Sequence, residues 1–304
     1  GYRMPASRGT MRRIAHRAAD MIYEKLTGIP GVFATKVAYI RALGEEGDLN
    51  YSLIVSDMDG ENEFTIMESG DPIMSPAWSP DSRQLAYVSF ENEVSTIFVQ
   101  TLRTGNRIKV SSRAGINGAP AFSPDGRNLV LTLGGVDGNP DIHILDLGTR
   151  ELKRLTRNRA IDTEGTWAPD GKSIYFTSDR SGGPQIYRVS VEGGTPTRVT
   201  FQGSYNARPR LSPDGSKLAL VTLDRGNYRI GILDIEEGDL LIVSRGKQDE
   251  SPSFAPNSDS IIYATRLSGD GVLELVSADG LVRQSLTSGR GDIREPVWSP
   301  FPRY

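Results

Sequence analysis

The sequence predicts an all-β fold, a six-bladed β-propeller of four-stranded antiparallel blades, preceded by one amphipathic α-helix. Three observations predict it: a gapless motif at a near-constant interval, four short strand patterns within each interval, and matching incomplete strand sets at the two ends.

The segments PAWSPDSRQLAYVS (76–89), PAFSPDGRNLVLTL (120–133), GTWAPDGKSIYFTS (165–178), PRLSPDGSKLALVT (209–222) and PSFAPNSDSIIYAT (252–265) align without gaps, and PVWSP (296–300) is a sixth copy. The bulky residue two before the turn proline falls at Trp78, Phe122, Trp167, Leu211, Phe254 and Trp298, at intervals of 44, 45, 44, 43 and 44 residues. Each copy reads as strand, tight turn, strand. Proline presets φ, Asp or Asn accepts local backbone bonds, and glycine tolerates positive φ, so Asp125 and Asp214 read as turn carboxylates. The stretch after each turn, LAYV (85–88) or IYF (174–176), is continuously apolar, as a strand covered on both faces requires.

Two more strand patterns follow in each repeat: TIFVQTL (96–102) with RIKVS (107–111), DIHILDL (141–147) with ELKRLT (151–156), and QIYRVSV (185–191) with TRVT (197–200). Four strands per period indicate a propeller; a parallel β-helix needs a shorter period, and a helical solenoid needs 3.6-residue periodicity. At the start, KVAYIRA (36–42), YSLIVSDMDG (51–60) and FTIME (64–68) match the second, third and fourth strands of a blade without a first. That first strand, 296–300, lies at the far end, so a composite sixth blade closes the ring without an open edge. Ahead of it, residues 8–27 carry Met11, Ile14, Ala18, Ile22 and Leu26 at helical spacing, with Gly28 as C-cap and Pro30 beyond. This apolar stripe is expected to pack on the propeller or on a domain outside the sequence.

With 304 residues, no cysteine, two histidines and a net charge of -3, the chain lacks disulfides, thiolate chemistry and a broad basic field for nucleic acid. No run of about 18 apolar residues occurs, which argues against direct membrane insertion. No Gly-x-Ser-x-Gly elbow is present, His143 falls inside a strand and His16 on the helix, and Gly134-Gly135 and Gly193-Gly194 lie in strand connections rather than before helices. A catalytic role is therefore not expected. The alternative weighed is the gating or substrate-selection domain of a hydrolase.

The segments just before the innermost strands converge at one mouth of the channel, where Asp162, Glu164, Asp249, Glu250, Asp292 and Glu295 face Arg208 and Arg294. From these loops come Met74, Asn117, Glu164, Asn206, Arg208, Glu250 and Arg294 as candidate partner-binding residues. No cofactor is expected; Ca²⁺ on the carboxylate ring is the metal weighed, although Asp57-Met58-Asp59-Gly60 reads as a strand-end turn and not as a calcium loop.

The repeat resembles the WD40-like propeller repeat. More specifically, ADMIYEKLTGIPGVF (19–33) leading into KVAYI, then YSLIVSDMDG, MSPAWSPDSRQLAYVSFE (74–91), NGAPAFSPDGRNL (117–129), TSDRSGGPQIYRVSVEGG (177–194) and the closing PVWSP resemble the TolB family of the Tol–Pal cell-envelope system. The resemblance covers nearly the whole chain. It implies a non-enzymatic, monomeric periplasmic protein with no nucleic-acid partner. Its propeller is expected to bind the lipoprotein Pal at one channel mouth and to act with other Tol envelope proteins in outer-membrane integrity and cell division; bacteriocin translocation segments are expected to compete there. By motif match, Ile116, Ala119 and Thr163 join the contact set, with Ile116 standing where a family relative has histidine. The resemblance further implies that residues 1–33 are the remnant of an N-terminal α/β domain and 34–304 the propeller. The family segment that contacts TolA has no counterpart here, so that contact is not assigned.

Overall fold

A computed structural model describes residues 7, 10–45, 47–91, 93–135, 138–267, 269–286 and 291–302. Within them, twenty-four strands form six four-stranded antiparallel sheets around one axis, after a helix at Met11–Thr27. Residues 8 and 9 of the expected helix lie outside the described residues.

The composite blade is as the ends of the sequence require, with Asp292–Trp298 pairing with Lys36–Glu45 from Val37↔Trp298 to Ala42↔Asp292. This strand begins four residues earlier than the 296–300 expected. The same holds in every blade. The segments taken as loops before the inner strands are their first halves, as in Ile73–Trp78, Ile116–Phe122 and Asp162–Trp167. The outermost strands are shorter than their patterns, only Leu152–Arg154 and Thr197–Arg198. Just beyond them one backbone bond persists in each blade, from Leu155 to the Ile142 carbonyl and from Val199 to that of Ile186, while a side chain takes the partner's amide: Thr156 Oγ1 accepts from Ile142 at 3.0 Å, and Thr200 Oγ1 from Ile186 at 2.9 Å.

The core lies in the seams between blades. The third residue of each second-strand motif, Tyr39, Tyr87, Leu131, Phe176, Leu220 or Tyr263, is fully buried. The three tyrosines keep partners for their hydroxyls, donating to Glu63 at 2.6 Å, Gln100 at 2.8 Å and Glu274 at 2.5 Å, as a phenol in a core must. The repeated tryptophans stitch neighbours together. Trp78 Nε1 donates to the Val297 carbonyl at 3.0 Å and Trp167 Nε1 to that of Ala121 at 3.1 Å. In the turns, Ser79, Ser123 and Ser212 each donate to the aspartate two residues on at 2.6 Å, so those carboxylates are structural, as their turn chemistry implied.

The helix sits at the end where the inner strands exit, opposite their starts. It docks by its polar edge: Arg12 pairs with Asp57 and Asp59, His16 Nε2 lies 3.3 Å from Asp59, and Tyr23 donates to Asp259 at 3.0 Å. Asp20 accepts from the amides of Phe33 and Ala34, and a β-carbon at Gly31 would strike the Asp20 backbone, so the Gly-Val-Phe corner needs that glycine. Met11, Ile22 and Leu26 are exposed. The helix thus meets the propeller through ion pairs on its polar edge, with Ile14 and Ala18 of the apolar stripe half-buried and the rest of the stripe open.

Asp57 anchors this docking, and Lys36, Asn62 and Arg12 outweigh burial in holding its carboxyl below the usual range. A depressed carboxyl adds stability above its unfolded pKa, lost as pH falls through the folded one. Asp57→Asn is therefore expected to cost ~1 kcal/mol at pH 7. In urea unfolding the gap from the parent should start to narrow as pH drops below about 3.9, the ordinary aspartate value, and close once pH passes the lower folded value.

Candidate functional site

Each inner strand is broken by a register shift at the same point, between Met74 and Ala77 in one blade, Gly118 and Ala121 in the next, and so on around the ring. At that point stands a non-glycine residue of positive φ: Ser75 (53°), Ala119 (44°), Glu164 (57°), Arg208 (55°), Ser251 (54°) and Glu295 (50°). All but Glu164 precede proline, which narrows the backbone choice further. Bulges re-aim side chains, and these six residues line one narrow cavity of about 40 Å³ on the axis. Six strained positions in register are a feature the surrounding sheets must hold in place.

Arg208 crosses this axis. Its Nε donates to Glu164 at 2.9 Å, Nη2 to Glu295 at 3.4 Å and Nη1 to Ser251, while its amide donates to Glu164 and Thr177, each at 3.0 Å. Glu295 also accepts from the Ser75 amide. One guanidinium with two carboxylates thus ties together five of the six blades. Burial alone would weaken the charge on Arg208; Glu295, Glu164 and Glu250 more than offset it and push its pKa up. Arg210, deeper in the channel, donates to the Pro209 carbonyl and has no carboxylate in ion-pair range among the described residues, and burial lowers its pKa.

Above the hub, a cavity of about 520 Å³ opens between the blades that begin at Asn206, Glu250 and Asp292. It is bounded by Arg208, Glu250, Arg266, Asp292 and Arg294, with Tyr205 and Tyr228 as one wall. Arg294 Nε donates to Asp292 at 2.8 Å, and Arg266 reaches the same carboxylate at 3.4 Å. Burial raises the pKa of Glu250, with Arg208 acting against the shift. Asp249 lies beneath, fully buried; burial raises its pKa although Ser244, Thr265 and the Gly246 amide donate to it.

The candidate residues divide accordingly. Ile116, 47% exposed, stands open on the rim, and Glu250 and Arg294 reach the mouth cavity. Arg208, Glu164 and Ala119 line the axis. Thr163 is half-buried, 3.4 Å from Thr132, and Met74 packs into the core of its seam. Asn117 and Asn206 are corrected: both are buried. Asn117 bonds to Ser111 and Arg113, and Asn206 to Gln185 and Gln202, so they shape the loops and offer no surface. Of the rim carboxylates, Asp162 is likewise fully buried, held by both oxygens to Arg180 at 2.8 and 2.7 Å. Sequence reasoning missed Tyr228 and Arg266, which arrive from the hairpins between second and third strands. Strand parity was the available signal, since those hairpins surface at the same end as the inner-strand starts.

Among the described residues no group of three or more His, Asp or Glu side chains is placed to hold a metal, and Asp292, Glu164 and Glu295 are each held by an arginine. No helix among them is long and apolar enough to cross a membrane.

The family profile described as TolB beta propeller domain matches residues 23–302. The Tol-Pal system protein TolB of Bordetella pertussis is 47% identical over 293 residues, covering 96% of this chain and 66% of the relative. The protein of the same name from Xanthomonas campestris pv. campestris is 52% identical over 303 residues, 99% of this chain and 69% of the relative. The crystal structure of TolB from Acinetobacter baumannii superposes with a TM-score of 0.92 at 47% identity, over 98% of this chain and 74% of that one. The chain therefore spans about two thirds of the length of the curated relatives it matches.

Proposed function

Since the chain belongs to the TolB β-propeller family, we propose that it serves the Tol–Pal system as a non-catalytic periplasmic scaffold. On this reading it binds the peptidoglycan-associated lipoprotein Pal at the mouth where the inner strands begin, in support of outer-membrane integrity and cell division. Bacteriocin translocation segments would compete for the same mouth. The observation that carries this reading is the rigid ring of bulged strands beneath an open 520 Å³ cavity, a scaffold with side chains of both charges and exposed apolar groups at one end. Interfaces draw on such concave, pre-formed surfaces, and their strongest contacts sit near the centre. The arginines that border the mouth cavity, Arg208, Arg266 and Arg294, are each engaged by a carboxylate.

The test is titration of a soluble Pal domain against single variants. Ile116→Asp places a charge on an exposed rim apolar group and is expected to weaken binding at least tenfold, with the melting temperature within about 2 °C of the parent, as for a surface change. Unchanged affinity of this variant, measured by calorimetry, would place the interface elsewhere.

A further inference from the structure

The mouth cavity holds an excess carboxylate. Three guanidinium groups border it, Arg208, Arg266 and Arg294, with the carboxylates of Asp249, Glu250, Asp292 and Glu295, of which Asp249 is already satisfied by Ser244, Thr265 and the Gly246 amide. Arg294 and Arg266 both converge on Asp292, at 2.8 and 3.4 Å, and Arg208 takes Glu164 at 2.9 Å and Glu295 at 3.4 Å. Glu250 is left over. Its closest cation is Arg208 Nη1 at 4.0 Å, beyond hydrogen-bond reach, and no hydrogen bond to its carboxylate is formed among the described residues. The side chain is 44% exposed and lines the cavity.

Across the same cavity stand Tyr205 and Tyr228, edge to face with ring centroids 5.2 Å apart, and Tyr228 is 43% exposed. Their hydroxyls form no hydrogen bond among the described residues; Tyr205 packs on the core of its seam, and Tyr228 keeps an open face at the cavity. An aromatic face and a carboxylate free of hydrogen bonds lining one cavity attract a cation twice over, through the ring quadrupole and through the ion pair. A planar guanidinium suits this combination better than an ammonium, because it stacks on a ring while presenting two donors to a carboxylate. An anionic group has no comparable place, since each guanidinium is already on a carboxylate.

We propose that this cavity is the subsite for a basic side chain of the protein bound at the mouth, an arginine in preference to a lysine, held by Glu250 and stacked on Tyr228. The assignment rests on the mouth reading above and sharpens it. Occupation by a cation would also join the partner to the hub, because Glu250 and Arg208 share the cavity.

Two measurements on the whole chain test this. In the first, ethylguanidinium at tens of millimolar is titrated while the Tyr205 and Tyr228 ring resonances are followed, with propionate and calcium chloride as separate arms. Ethylguanidinium is expected to shift the Tyr228 ring, and Glu250→Gln to reduce that shift at least fivefold. A shift with propionate in place of ethylguanidinium, or with calcium alone, overturns the assignment. In the second, the Kd for soluble Pal is expected to rise about tenfold in Glu250→Gln and about fivefold in Tyr228→Ala. If Glu250→Gln binds Pal like the parent while Ile116→Asp does not, the basic subsite is wrong and the mouth stands. If both bind like the parent, the mouth reading falls and the subsite with it.

Discussion

Removal of residues 296–304 is expected to leave a protein without a cooperative thermal transition near that of the parent. The cut takes Pro296 to Trp298 from the inner strand of the composite blade and leaves Val37 and Ala38 without their partners. It also deletes Trp298, 4% exposed, whose indole donates to Thr35 at 2.8 Å and whose amide donates to Ser253 of the neighbouring blade at 2.9 Å. A single Trp298→Ala change should by itself cost about 3–5 kcal/mol, the range for truncating a buried aromatic side chain. The truncation removes that contribution together with ladder bonds and exposes a sheet edge next to the first chain segment. Differential scanning calorimetry of both variants reads the effect. A truncated chain that melts like the parent would show that the ring does not depend on the strand its ends share.

The second large effect is expected at the axis. Arg208→Met keeps the bulk of the side chain and removes the charge, leaving Glu164 and Glu295 facing the channel with no guanidinium between them. Deleting one partner of a half-buried, hydrogen-bonded charge network costs roughly 1–3 kcal/mol, because the partners stay partly desolvated without compensation. Adding Glu164→Gln should recover part of the loss, and that recovery separates a charge effect from lost packing. Urea unfolding of the two single variants and the double variant provides the cycle. Additive losses would mean that Arg208 and Glu164 do not act as a unit.

The blades were legible because their signal is redundant: one motif occurs six times, and the tryptophan that ends it at 78, 167 or 298 occupies the same place in the fold each time. The bulge was not. No residue type marks it, since Ser75, Ala119, Glu164, Arg208, Ser251 and Glu295 share a backbone angle and little chemistry. The prolines behind five of them were read only as repeat members. For the mouth, polar residues before the repeat were taken as surface, yet Asn117, Asn206, Asp162 and Asp249 are buried. Short polar side chains can either face solvent or satisfy loop amides, and a single sequence does not separate these roles. Tyr228 and Arg266 escaped because their hairpins reach the mouth through tertiary arrangement alone.

The bond from the Lys36 amide to Ser299 Oγ joins residues 263 positions apart. During synthesis the segment Lys36–Ser69 leaves the ribosome early and must wait for almost all later sectors before its inner neighbour exists. Until then Val37 and Tyr39 bear an unprotected flank, the kind that recruits stray strands. Circularly permuted genes that start between two internal sectors would give every blade its own consecutive strands. Such chains should refold faster and with less precipitate than the parent, at the cost of a ring held shut only by contacts between faces.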